Sequence, residues 1–375
     1  MILKNNDIPE LPKGSAAVVS NFYACLLGGP LSQLLKCLTA VKVCAEFEKQ
    51  GVYAVPVCLA RQDAPRGFST REINFIDRAS KLHCLKPYEM ETNDAGSVID
   101  GRGNEKLFAE IEKIFPDAET EPLSALKEAF IPNTNSVSSC ARWLKYLLNE
   151  FGVHVIEVAP EQASGNSDFQ CLPQNLMFPV AAFVADSSEI AEYAKESALC
   201  ESEGMPRPLV RPLTYATISN ARSLKTLRRY GLDLTRIFDG KERVLDYVRK
   251  TLESDVPDRL QKLRNESVAV LDELEPAAFA VRCERSARIR KARAIRIIYQ
   301  LEKLQKHSRA AVADKEKTAE NRIRKACGFL APLGRRQQDT LGGAQIPLFY
   351  GRTGLRAIYE RLDITTQDHQ LIEMD

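Results

Sequence analysis

The fold is decided by one stretch of the sequence, Ala16-Ala-Val-Val-Ser-Asn-Phe-Tyr-Ala-Cys-Leu-Leu-Gly-Gly-Pro30, in which an apolar run leads to a glycine pair and a proline. Glycine accepts a positive φ without a steric penalty, and proline at the first helical position gives up no N–H that the helix needs. Apolar residues then recur at helical spacing from Leu31 to Gln50. The stretch therefore predicts a strand, a tight loop and a helix.

Four further apolar runs bounded by turn residues continue this pattern, at 53–60, 153–158, 178–185 and 208–216. Such runs are typical of parallel strands that are covered on both faces. A helix-spaced segment precedes the strand at 153, and Asp186-Ser-Ser-Glu189 has the spacing of a capping box, which begins a helix. We therefore expect an α/β protein with a Rossmann-like, doubly wound sheet of about five mostly parallel strands.

Composition divides the 375 residues into three parts, since so long a chain exceeds the usual single core. Residues 1–240 form the predicted Rossmann-like core, with an insertion at about 91–137. Residues 241–328 are charged and helical, with apolar residues at nearly heptad spacing, which predicts an antiparallel coiled-coil arm. The heptad residues are Val256, Leu260, Leu263, Val270 and Leu274. We expect residues 329–375 to pack back on the core.

The charge is nearly balanced, with 52 Lys and Arg against 50 Asp and Glu, so nothing draws the whole chain to nucleic acid or to an anionic membrane. Six basic residues at 285–296 are spread around the helix axis, which favours a solvated helix or an acidic protein partner. Nucleic-acid binding through them is kept as a third hypothesis, and it predicts salt-sensitive retention on DNA.

Ten cysteines include no CxxC pair and four histidines are scattered, so we expect buried reduced thiols and no metal site. The N-terminus has no basic region followed by an apolar stretch, and the uncharged window at 14–35 is interrupted by Asn21, Pro30 and glycines. Together these features predict a cytoplasmic protein without a membrane span.

Several segments carry a resemblance in a fixed order: Val18–Leu31 with Lys36, Val55–Val57, Glu72–Phe75, Phe178–Val184 with Glu189, Ile190 and Tyr193, Tyr230–Leu234, Phe329–Pro332 and His369–Ile372. They resemble the cysteine-adding enzymes of bacillithiol biosynthesis, the cysteine ligases abbreviated BshC. The resemblance, from about Ser15 to the C-terminus, implies a Rossmann-like core with insertions and a coiled-coil arm that forms a homodimer. It also implies a reaction that joins cysteine to the amine of glucosaminyl malate, an amino-sugar malate.

The chain departs from the family pattern at three places. A Gly-Gly-Gln-Gln run of the family is here Ser20-Asn-Phe-Tyr23, and a Glu-Asp-His-Asp cluster is here Gln62-Asp-Ala-Pro-Arg-Gly67, without the histidine. The Gly-Pro-Gly-Glu loop is Asp186-Ser-Ser-Glu189. Because the helical region that precedes the family's first strand is also not found, we expect a divergent, N-terminally shortened member.

Ligands of doubly wound sheets bind beyond the carboxyl ends of the strands, which locates the candidate site. Amide formation needs an activated carboxyl, a cradle for the leaving group and a base for the attacking amine. The candidate bases are Asp63, Glu72 and Glu189. The candidate substrate-binding residues are Asn21, Gly28, Gly29, Lys36, Asn74, Ser187 and Tyr193. A nucleotide such as ATP or ADP is the candidate cofactor.

Each of these residues also has a structural interpretation. The glycines suit a tight turn, Glu189 completes a capping box, and a long side chain such as Lys36 usually reaches solvent. Two hypotheses follow: an active cysteine ligase, and a catalytically silent paralogue that serves as a binding or regulatory partner, which the missing histidine motivates.

Overall fold

The computed structural model describes residues 14–62, 72–86, 90–93, 96–99, 101–158, 179–191, 209–280 and 284–374. The chain separates into two compact units. The first comprises Met1–Lys225 with Gly328–Asp375, and the second comprises Thr226–Cys327.

The described strands are β1 (Ala16–Tyr23), β2 (Ala54–Arg61), β3 (Ile73–Ile76), β4 (Leu82–Leu85), β5 (Met90–Asn93), β6 (Gly96–Ile99), β7 (His154–Glu157), β8 (Val180–Ala185), β9 (Leu209–Pro212), β10 (Ala216–Asn220) and β11 (Gln370–Met374). The described helices are α1 (Leu31–Lys49), α2 (Gly101–Ile114), α3 (Thr120–Ala129), α4 (Ser136–Leu148), α5 (Ala221–Tyr230), α6 (Leu234–Phe238), α7 (Lys241–Leu252), α8 (Val256–Ala280), α9 (Glu284–Leu330), α10 (Gln337–Thr340) and α11 (Gln345–Arg361). Residues 187–191 are helical as well.

The central sheet has five strands in the order β7-β2-β1-β8-β9, and every neighbouring pair is parallel. The chain builds outward from β1 to β2 and β7, and then returns to β8 on the other side of β1. This order is the Rossmann type, with its switch point between β1 and β8. The predicted doubly wound α/β fold is confirmed.

Alternate residues of β1 enter two different cores, as the period of a strand requires. Val18 and Phe22 join the larger core with leucines of α1 and with Trp143 of α4. Ala17 and Val19 join a smaller core on the opposite face, together with residues of β2, β7 and β8. Both faces of the sheet are therefore buried, which explains why its strands lack polar alternation.

Two local expectations differ from the structure. The run predicted as one strand at 208–216 divides into β9 and β10, because the chain leaves the sheet after Pro212, and β10 pairs with β11 in a separate two-stranded parallel sheet. The insertion, expected to contain loops and helix, also contains the antiparallel hairpin of β5 and β6 ahead of α2 and α3.

The second unit contains α8 and most of α9, which run antiparallel. Gln305 Nε2 donates to Gln261 Oε1 at 2.6 Å, and Arg264 Nη2 lies 2.7 Å from Glu302 Oε1, so residue numbers rise along one helix as they fall along the other. The heptad residues Val256, Leu263 and Val270 are 45%, 50% and 54% exposed. They therefore lie on the flank of this helix pair and do not fill the seam between its helices.

In the part of the chain described here, no helix combines the length and the apolar character needed to cross a membrane.

Candidate functional site

The site lies at the switch point, where the ends of β1 and β8 bring together residues that are distant in sequence. β1 ends at Tyr23, β8 ends at Ala185, and Asp186 and the helical residues 187–191 follow. α1 follows β1 through the loop of Gly28 and Gly29 and lies against both strands. A crevice between diverging connections is the usual ligand position in such a sheet.

A buried ion pair forms the centre of the site. Lys36 Nζ, on α1, lies 2.9 Å from Glu189 Oε2 and 3.0 Å from Oε1, and both side chains are 1% exposed. Asp186 Oδ2 is 3.4 Å from the same ammonium and keeps 26% of its side chain exposed. The amphipathic position of Lys36 suggested a solvent-directed side chain, but its charge is taken up inside the protein by two carboxylates.

Tyr23 completes this cluster. Its hydroxyl donates to Glu189 Oε1 at 2.8 Å, and its ring lies 5.1 Å from Lys36 Nζ. Glu189 also forms both halves of the predicted capping box: its carboxylate accepts from the N–H of Asp186 at 2.8 Å, and its own N–H donates to Asp186 Oδ1 at 3.1 Å. One carboxylate thus joins β1, α1 and the helix after β8.

The charges of this cluster follow from its contacts. Burial alone lowers the pKa of Lys36, but Glu189 and Asp186 outweigh it, so the pKa lies above the ordinary lysine value. Burial raises the pKa of Asp186, but Lys36 and the donors of Ser188 and Glu189 bring it below the ordinary value. Burial and Glu189 raise the pKa of Tyr23. At neutral pH Lys36 is therefore an ammonium, Asp186 a carboxylate and Tyr23 a neutral phenol.

Gln33 fixes the end of β1. Its side-chain oxygen accepts from the N–H of Tyr23, and its Nε2 donates to the carbonyl of Tyr23 at 3.1 Å. The amide thereby pairs with the backbone as a neighbouring strand would, and it is 2% exposed. Gln33 was not among the predicted residues, because an amide at an inward helical position gives no sequence signal for this bond.

The glycine loop is closely packed. A Cβ on Gly28 would lie 2.7 Å from Trp143 Cδ1, and a Cβ on Gly29 would lie 2.6 Å from Gln33 Nε2 and 2.7 Å from Cys25 Sγ. Both glycines have positive φ, at 83° and 67°. Protein atoms therefore occupy the space beside the α-carbons of both glycines.

The C-terminal segment packs on the other side of this loop. Gly343 N–H donates to Gly29 O at 2.8 Å, and Leu31 N–H donates to Leu341 O at 2.7 Å. Gln337 and Gln338 hold the preceding turn, because their side-chain oxygens accept from Ile218 N–H and Ala216 N–H on β10, both at 2.7 Å. The segment therefore contributes to the rim of the site, a contribution that no sequence pattern indicated.

Asp339 lies within this segment, between the two glutamines and Leu341. Partial burial raises the pKa of its carboxyl, and the charge of Asp186 acts in the same direction, whereas Arg336 and a hydrogen bond with Ser32 at the start of α1 partly oppose them. Asp339 therefore lies against Ser32 at the start of α1, with a carboxyl that is more basic than usual.

The remaining predicted residues have different surroundings. Asn21 is 3% exposed on β1, and its Oδ1 has no hydrogen-bond partner among the described residues. Ser187 is exposed next to Asp186. Asn74 Nδ2 donates to Thr340 O at 3.2 Å, and Glu72 pairs with the exposed Lys86 at 3.2 Å within the hairpin of β3 and β4. Asp63 and Tyr193 lie outside the described residues.

The structure thus brings together Lys36, Glu189 and Ser187 of the predicted set and adds Tyr23 and Asp186, while Asp339 lies beside Ser32 at the start of α1. Among the described residues, no group of three or more His, Cys, Asp or Glu side chains is arranged to hold a metal ion.

Comparison with curated proteins finds three that are each named "Putative cysteine ligase BshC". The protein of Solibacter usitatus is 28% identical over 222 residues, which are 56% of this chain and 40% of its own length. That of Salinibacter ruber is 25% identical over 218 residues, 58% and 40% of the two lengths. That of Carboxydothermus hydrogenoformans is 28% identical over 155 residues, 41% and 28%.

The chain therefore spans 40% of the length of the first two relatives. No family model matches it. The order of matching segments indicated the same family, and these relatives confirm the resemblance: over part of their length, the chain is similar to proteins named "Putative cysteine ligase BshC".

Proposed function

We propose that this protein is a cytoplasmic cysteine ligase of bacillithiol biosynthesis, which forms an amide between the carboxyl of cysteine and the amine of glucosaminyl malate. The observation that carries the proposal is the convergence of Lys36, Asp186, Glu189 and Tyr23 at the switch point of a Rossmann-type sheet. The relatives named cysteine ligase support the choice of reaction.

The roles proposed for the side chains follow from their charge states. The attacking amine must lose a proton, and Asp339 is the proposed base, because its carboxyl is exposed at the rim and has a raised pKa. Asp186, which stays ionised, orients the amine from the other side. Lys36 is a positioning residue, since it holds Glu189 and Asp186 in place. A nucleotide such as ATP is proposed to activate the carboxyl of cysteine.

The test is formation of the amide from cysteine, glucosaminyl malate and ATP, followed by mass spectrometry, with a full-length relative as the positive control. We expect product with the native protein, and a loss of at least about tenfold in kcat with Asp339→Asn. Asp117→Asn, which removes an exposed carboxylate paired with Arg78, is the matched control. No product with this chain, while the relative forms it, would count against the ligase.

A second function, binding without catalysis, is favoured by a different observation. Gly28 and Gly29 are packed against protein atoms, and the charge of Lys36 is already balanced, so neither offers a free group to a leaving phosphate. A silent paralogue would bind cysteine or glucosaminyl malate in calorimetry and form no amide. The two functions are therefore separated by measuring binding and turnover on the same preparation.

We further propose that the helical arm forms a homodimer. Pro257 and Arg264 on α8 and Gln305 on α9 contact the opposite helix. On each helix, the residue directly before one that contacts the opposite helix points to the side of the pair. Because both helices are right-handed and run in opposite directions, these residues of the two helices lie on the same side, here called the flank. That flank carries five half-exposed apolar side chains: Val256, Leu263, Val270, Ile297 and Leu304.

A second copy of the arm is the proposed occupant of this apolar flank. Apolar residues recur every seven positions on both helices, so two copies related by a two-fold axis would cover the same residues on each other. Association would remove large apolar side chains from water, which is the main driving force for such contacts.

A further inference from the structure

Two buried cysteines meet beneath the site described above. Cys37 Sγ on α1 and Cys58 Sγ on β2 are 3.5 Å apart, and both residues are 0% exposed. Ser20, directly opposite Cys58 in the register of β1 and β2, donates its hydroxyl to Cys37 Sγ at 3.8 Å. Three elements thus place two thiols and a hydroxyl in contact in the middle of the core.

The two thiols differ in their readiness to ionise. The hydrogen bond with Cys58 lowers the pKa of Cys37 and, together with Ser20 and the charge of Lys36, outweighs the opposing effect of burial. The same contact and burial raise the pKa of Cys58. Burial raises the pKa of Cys44 and Cys140 to about 12. Among the cysteines in the described ranges, Cys37 is the one whose pKa is lowered.

We propose that Cys37 and Cys58 form a reactive dithiol that hydrogen peroxide converts into an intramolecular disulfide. The thiolate is the nucleophilic form of cysteine, and a neighbouring thiol that can resolve the first product is the arrangement of redox-reactive pairs. The two sulfur atoms need to approach by about 1.5 Å to reach the length of an S–S bond. The proposal is independent of the ligase reaction.

The step balances as a two-electron oxidation. The Cys37 thiolate attacks one oxygen of hydrogen peroxide, the O–O bond breaks, and the departing hydroxide takes up a proton to become water. Cys58 then attacks the sulfenic sulfur of Cys37, its proton passes to the leaving hydroxide, and a second water forms. Two thiols are oxidised to one disulfide, and one peroxide is reduced to two waters. Peroxide reaches the buried pair during local opening of the core.

The disulfide would connect α1, one residue from Lys36, to β2, three residues before Arg61. Oxidation would therefore tie α1, which carries Lys36, to the strand that pairs with β1. An ordinary core role, in which the cysteines act only as small apolar residues, predicts no such chemistry.

The test is treatment of the folded protein with hydrogen peroxide, then alkylation of the remaining thiols and peptide mapping. We expect equal loss of the Cys37 and Cys58 thiols, a cross-linked peptide containing both, and reversal by a reductant, all before loss of the exposed Cys84 thiol. Cys44→Ala, which removes another buried cysteine of α1, should give the same cross-link.

Cys58→Ser removes the resolving thiol but keeps a hydroxyl that can hydrogen-bond to Cys37, so the Cys37 sulfenic acid should persist and be trapped by dimedone. Oxidation of Cys84 with Cys37 and Cys58 intact would overturn the proposal, as would a cross-link that appears only after circular dichroism reports unfolding. If Cys58→Ser does not fold, the native protein alone decides, because the order of thiol loss and the cross-linked peptide need no variant.

Discussion

A single lysine illustrates how the residues of the site depend on one another. Lys36 is closed off from solvent, and its charge is acceptable there because Glu189 and Asp186 surround it. A buried pair contributes little net stability when intact, but loss of one partner leaves an uncompensated charge in a medium that solvates it poorly. Breaking the Lys36–Glu189 pair is therefore expected to lower the free energy of unfolding by much more than the intact pair contributes to it.

Glu189→Gln tests this dependence, because glutamine keeps the shape and the capping bond but removes the charge. We expect a loss on the order of 3 kcal/mol in the free energy of unfolding, measured by urea denaturation. Lys127→Met is the matched control: it breaks the exposed pair with Glu112 and should cost less than about 1 kcal/mol. Equal losses in the two variants would show that burial does not increase the cost of breaking an ion pair here.

His369 supplies a prediction about pH. Its Nε2 lies 2.8 Å from Thr217 Oγ1, and burial, aided by Arg336, lowers its pKa from 6.5 to about 4. Between these values the unfolded chain binds a proton that the folded chain does not, so the contribution of His369 is complete above pH 6.5 and is lost as the pH falls toward 4.

His369→Gln keeps a polar side chain and removes this titration. We expect its free energy of unfolding to fall less than that of the native protein as the pH is lowered from about 7 to about 4.5. Parallel curves for the two proteins over this range would contradict the buried, neutral histidine.

At the scale of elements, the sequence predicts what local chemistry determines. Apolar runs mark β1 and β2, the helical pattern after Pro30 marks α1, and both hydrogen bonds of the Asp186–Glu189 capping box form. The contact of Lys36 with Glu189 joins residues 153 positions apart. No local pattern encodes it, because it depends on the order in which β8 is placed beside β1.

The close packing of the glycine loop predicts the cost of a single added methyl group. Gly28→Ala places a methyl group 2.7 Å from the indole of Trp143, at a φ of 83°. Gly51→Ala has nearly the same φ, 80°, and nothing within 4 Å, so it measures the backbone cost alone. We expect Gly28→Ala to be less stable than Gly51→Ala by about 1–3 kcal/mol.

Trp143 is the single tryptophan of the chain, so its fluorescence reports this packing directly. The emission should change in Gly28→Ala and stay as in the native protein in Gly51→Ala. Equal stability of the two variants with unchanged emission would mean that the loop rearranges at little cost. Its packing would then not exclude a ligand.

Across the whole molecule, sequence patterns predict where helices and strands lie better than they predict which surfaces of those elements are in contact. The heptad spacing of α8 correctly indicates a long helix, and it suggests that these residues face α9. Instead α8 and α9 meet through more polar positions such as Gln261, Arg264 and Gln305, and leave Val256, Leu263 and Val270 on the flank. A repeat of seven shows that a face is apolar, but it does not show which helix covers that face.

Leu263→Glu tests whether that face joins two copies of the chain. Leu263 lies at the middle of the apolar flank, so a carboxylate there would be desolvated in the dimer and opposed by the same charge from the other copy. We expect the native protein to sediment as a dimer and the variant as a monomer in analytical ultracentrifugation. Tyr299→Glu, which changes another exposed apolar residue on the opposite flank of the same helix pair, should remain dimeric. A monomeric native protein, or loss of the dimer in both variants, would exclude this flank as the specific contact.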